Sequence, residues 1–66
     1  MVITISDIGN GQARIILNHK LARFAEREHI DRRLLIVNKA VLLAWMDSIT
    51  RYVNNELHEE CLFEVE

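Results

Sequence analysis

The stretch Leu34–Met46, LLIVNKAVLLAWM, decides how this chain is read. Eleven of its 13 residues are apolar, and only Asn38 and Lys39 interrupt it. A bilayer span needs about 20 apolar residues, so the run is too short to be one. From Arg32 to about Leu57 there is no Gly or Pro, so the spacing predicts one long helix after an Asp31 cap. At 100° per residue, Leu34, Val37, Val41, Trp45, Ser48 and Tyr52 fall along one side of it. Leu35, Leu42, Ile49 and Val53 fall beside them, while Ile36, Leu43 and Met46 fall elsewhere. A helix apolar almost all round must be buried almost all round. A short helix and a hairpin cannot wrap it, but a second copy can. The expectation is a homodimer with Leu34, Leu35, Val37, Val41, Leu42, Trp45 and Ile49 at its interface.

Length points the same way. A chain of 66 residues is a single small domain, and a domain this size buries only about 60% of its unfolded surface. Cys61 is the only cysteine, so no internal disulfide forms. The opening MVITISDIGN lacks the basic region and apolar run of a signal peptide. The chain therefore reads as cytoplasmic, with no membrane partner. Its net charge of −2 is unevenly spread. Residues 1–39 hold seven basic and four acidic residues, or +3. Residues 40–66 hold one basic and six acidic residues, or −5. That polarity suggests a basic working face and an acidic tail.

Outward from the apolar run, four segments follow. Residues 1–17 read as a strand or hairpin: VITIS (2–6) alternates, GNG (9–11) is a turn signal, and QARIIL (12–17) alternates again. Alternation puts Ala13, Ile15 and Leu17 on one face and Gln12, Arg14 and Ile16 on the other. Asn18 is a helix cap, and residues 18–30 read as a short amphipathic helix with Leu21, Phe24 and Ala25 inside. Residues 31–57 are the long apolar helix. Residues 58–66 are an acidic segment in which CLFEVE (61–66) is either a further short strand or a tail that orders on a partner.

Catalytic and metal patterns are poor. His58 and Cys61 are three apart, but structural zinc needs four ligands. There is no nucleophile elbow and no phosphate loop. The chain reads as a non-enzyme without metal or cofactor.

The order strand, short helix, turn, long helix resembles the ribbon-helix-helix family of dimeric DNA-binding repressors and antitoxins. LARFAEREHIDRR is similar to that family's first helix and turn, and IVNKAVLLAWM to its second helix. His29 stands where the family often has glycine. The resemblance covers about Gln12 to Met46. It implies an α+β, mainly α fold, with short N-terminal strands followed by two helices in an intertwined homodimer. It also implies a repressor or antitoxin acting by operator occupancy. Paired strands would enter the major groove, with Gln12, Arg14 and Ile16 reading base edges. Lys20, Arg23, Arg32 and Arg33 would contact the DNA backbone.

The alternative is a small acidic interaction or inhibitor protein of phage or plasmid type. In it the hairpin and CLFEVE form a sheet against the helices, and the acidic half is the active surface. Leu62, Phe63 and Glu64 are its candidate partner-binding residues, and they would also carry any partner contact of an antitoxin tail.

Overall fold

β1 (Val2–Gly9) and β2 (Gln12–Ile15) form an antiparallel hairpin in a computed structural model that describes residues 1–31 and 36–66. The turn is Asn10-Gly11, with φ of 57° and 71°. Both central residues at positive φ make the tight hairpin turn that Asn-Gly favours. The ladder slips by one residue between Asp7 and Gly9, leaving Ile8 as the extra residue. The Asp7 carboxylate accepts the Gly9 N–H at 3.0 Å and holds that irregularity.

The Asn18 side chain accepts the Lys20 N–H at 2.9 Å and caps a 3₁₀ turn, His19–Leu21. α1 (Ala22–Arg27) continues from it; the turn buries Leu21, and α1 buries Phe24 and Ala25. Its end is a full Schellman closure. Ile30 N–H reaches the Ala25 carbonyl at 2.8 Å, and His29 N–H the Glu26 carbonyl at 3.2 Å. His29 takes φ 55° to make it.

The long-helix expectation is overturned at its start. Ile36–Asn38 is a strand, β3, paired antiparallel with β2. Helix α2 runs only over Lys39–Asn55. Two causes act together. Ile36 and Val37 are β-branched and fit a pleated ladder, and Asn38 is itself a helix cap. Its side chain accepts the Val41 N–H at 2.8 Å, so the helix begins after it. Leu34, Leu35, Arg32 and Arg33 lie outside the described residues.

β4 (Leu62–Val65) closes the sheet and runs parallel to β1. The strand order is β3-β2-β1-β4. Among the described residues the result is a four-stranded mixed sheet with two helices, about 42% helix and 31% strand. It is not the mainly α, ribbon-helix-helix-like dimer that the sequence suggested. In a two-chain ribbon, β2 would need a free edge for a second copy. Here β1 takes one edge and β3 the other.

Both helices pack on one face of the sheet. Ile3, Ile5, Ala13 and Ile15 point inward from β1 and β2, with Leu17 beyond the strand. α2 answers with Leu42, Ile49, Tyr52 and Val53, an amphipathic stripe completed by half-buried Trp45 and Met46. The sheet thus covers the apolar helix that was expected to need a second copy. Leu42 and Ile49, assigned to a dimer interface, are core residues of one chain. Phe24 and Tyr52 rings lie 5.7 Å apart at 52°, and the Arg27 guanidinium sits 5.7 Å from the Tyr52 ring. These contacts tie α1 to α2.

Candidate functional site: the open sheet face and the edge of β4

Strand alternation divides the sheet into a covered and an uncovered face. Val2, Thr4 and Ser6 of β1 point away from the helices, as do Gln12 and Arg14 of β2. Ile16 follows at the same parity and is 54% exposed. Ile36 of β3 sits beside Arg14, Ser6 lies opposite Arg14, and Glu64 of β4 sits beside Thr4. Leu62 sits beside Val2 and is 59% exposed. The open face is therefore aliphatic at Val2, Ile16, Ile36 and Leu62, and polar through its middle.

The expected base-reading trio, Gln12, Arg14 and Ile16, does share this open face. The expected backbone-contact residues do not join it. Lys20 lies in the 3₁₀ turn and Arg23 in α1, both on the helix side of the sheet. Lys20 Nζ is 3.3 Å from the Glu59 carboxylate. Arg27 pairs with Glu56 at 3.0 Å and Lys39 with Asp7 at 3.1 Å. The Glu56 carboxyl is held below the usual range by Arg27. Part of the charge asymmetry between the chain's halves is thus taken up inside the fold. No aromatic ring lies on the open face among the described residues, so stacking on bases has no platform there. Of the remaining expected interface residues, Val37 and Trp45 are half-buried against the core and Val41 is exposed.

The second feature is the edge of β4. Leu62 N–H donates to the Met1 carbonyl at 2.9 Å, and Glu66 N–H to the Ile5 carbonyl at 2.8 Å. In a parallel ladder every second residue faces the neighbour. Leu62, Glu64 and Glu66 therefore bond to β1, while the amides and carbonyls of Phe63 and Val65 face outward. No strand lies on that side among the described residues. Phe63 turns its ring toward the core and is half-buried. Val65 is 71% exposed, beyond the reach of the helices. Glu60, Glu64 and Glu66 are exposed around it. Of the expected partner-binding residues, Leu62 and Glu64 lie on the open face and Phe63 contributes its backbone. Val65 was not among them. It stands in the same CLFEVE segment, an exposed aliphatic between two glutamates.

Chemistry of other kinds has little support in the geometry. Among the described residues, no three His, Cys, Asp or Glu side chains gather as metal ligands. Cys61 is half-buried, and desolvation pushes its thiol up, which keeps it protonated and poorly nucleophilic. Two open clefts flank Tyr52 between the helices, lined partly by the paired Arg27 and Glu56. No helix among the described residues is long and apolar enough to cross a membrane.

Comparison with family models, curated proteins and solved structures finds no match to this chain.

Proposed function

We propose that this chain is a small acidic protein-interaction module that takes an extended, basic segment of a partner protein along the outer edge of β4. One observation carries the reading. The outward N–H and C=O groups of Phe63 and Val65 have no strand beside them among the described residues, and they lie between two exposed aliphatics, Leu62 and Val65, and among three exposed glutamates. An extended peptide added at such an edge gains main-chain hydrogen bonds, and its alternate side chains set specificity.

Charge selects the partner. Two copies of β4 placed edge to edge would bring Glu64 and Glu66 together, which costs energy. A strand with lysine or arginine at alternate positions meets those carboxylates favourably. The acidic residues thus discourage self-pairing, as charges on natural edge strands do, and favour a foreign cationic strand. No reaction is involved; the output is occupancy of the partner segment.

A fluorescently labelled peptide of alternating valine and lysine, titrated with the protein and followed by anisotropy, tests this. Binding should weaken as salt rises, and a valine–glutamate peptide should not bind. Val65→Pro removes only an outward donor and leaves the β1 ladder whole, so it should abolish binding while the fold persists. Equal binding of both peptides, or unchanged binding by the Val65→Pro protein, would overturn the reading.

A further inference from the structure

We infer that the open face of the sheet packs against the same face of a second copy, as a two-fold face-to-face dimer. This surface shares Leu62 and Glu64 with the edge of β4 but not its outward amides and carbonyls, and dimerisation is read without peptide, so its failure and the failure of peptide capture are distinguishable.

The first ground is apolar exposure. Val2, Ile16, Ile36 and Leu62 stand about half exposed on a face that no layer covers among the described residues. An antiparallel face left to water is normally polar. Covering this one would also add buried area to a chain whose own core is small.

The second ground is charge, and it names the occupant. Arg14 lies beside Ser6 on one flank of β1, and Glu64 lies beside Thr4 on the other. They are two strand spacings apart and one two-residue step displaced, about 12 Å between backbone positions. They therefore do not meet within one chain. Lys20, Arg27, Lys39 and Arg51 each have a carboxylate within 3.3 Å. Arg14 has no ion-pair partner among the described residues. The midpoint between Arg14 and Glu64 falls on β1, between Thr4 and Ser6. A two-fold axis lying in the interface through that point seats Arg14 of each copy on Glu64 of the other. Such a patch is self-complementary, as an isologous interface requires. Thr4 and Ser6 at the axis are small, and the Glu66 carboxylate, which accepts the Ser6 hydroxyl at 3.4 Å, stands beside them on the Glu64 flank, so two sheets can approach to about 10 Å with both carboxylates turned to the partner's Arg14.

Face-to-face packing leaves the outer edge of β4 free. It also leaves Leu43, 66% exposed on the outer side of α2, outside the seam.

Sedimentation equilibrium of the full chain tests the inference by charge exchange. The unaltered protein should sediment as a dimer. Arg14→Glu and Glu64→Arg should each weaken dimerisation at least about tenfold, because each places like charges together. The double variant, Arg14→Glu with Glu64→Arg, should restore the dimer. Restoration also shows that the single variants fold. Ile16→Lys should give a monomer, and Leu43→Glu should leave the dimer intact. A monomeric unaltered protein, a double variant no better than the singles, or a dimer lost through Leu43→Glu would overturn the inference.

Discussion

The side-chain carbonyl of Asn38 accepts the backbone N–H of Val41 at 2.8 Å, and this one bond marks where strand β3 ends and helix α2 begins. The first amides of a helix have no partner within it, so an unmet donor would remain if the cap were lost. Asn38→Ala should lower stability by about 1 kcal/mol. Chemical denaturation with an unchanged slope would register it. A variant as stable as the parent would mean that Asn38 is not the cap.

His29 holds φ 55° at the Schellman closure of α1, a conformation that costs an L-residue roughly 1–2 kcal/mol. His29→Gly removes that strain and adds some unfolded-state entropy. The net expectation is a gain of about 0.5–1 kcal/mol, seen as a higher melting temperature. A loss would mean that the imidazole makes a contact worth more than the strain.

Ile49 is fully buried beneath the sheet, while Leu43, six residues earlier on the same helix, faces outward. Ile49→Ala should cost about 2–4 kcal/mol, and Leu43→Ala less than about 0.5. Both effects should be independent of protein concentration. A large, concentration-dependent cost at Leu43 would return the dimer to α2.

Acid should destabilise the fold through specific carboxylates. Asp7 is held below its ordinary range by the Gly9 N–H first and by Lys39 second, and Glu56 by Arg27. A carboxyl with a depressed folded value stabilises above its unfolded value and loses that contribution as pH falls through the folded one. Melting temperature should therefore stay flat from neutral pH to about 5 and decline below it. Asp7→Asn and Glu56→Gln proteins should melt slightly lower at neutral pH and converge on the parent in acid. Both sites are exposed, so the differences should be small. Divergence in acid would contradict the assignment.

The hairpin, its Asn10-Gly11 turn and the Asn18 cap were all legible locally, because alternation and turn chemistry act within a few residues. The inward and outward sets of β2 followed from the same period. Ile36 to Asn38 was not legible as strand, since three residues inside a long apolar run carry no period of their own. Only pairing with β2, more than 20 residues earlier, makes them a strand. That one misplacement turned a helix packed on its own sheet into a helix needing a second copy. It also gave weight to the ribbon-helix-helix resemblance. The CLFEVE segment was open between strand and tail, because parallel pairing with β1 spans almost the whole chain. The Arg27–Glu56 and Lys20–Glu59 pairs were invisible for the same reason.

Amide hydrogen exchange along β4, measured by NMR with and without the valine–lysine peptide, tests the central claim most directly. In the free protein the amides of Leu62, Glu64 and Glu66 should be protected, and those of Phe63 and Val65 should exchange fast. Adding the peptide should protect Phe63 and Val65. If those two amides are already protected in the free protein, or stay fast at saturating peptide, β4 is not the open edge that receives a partner strand.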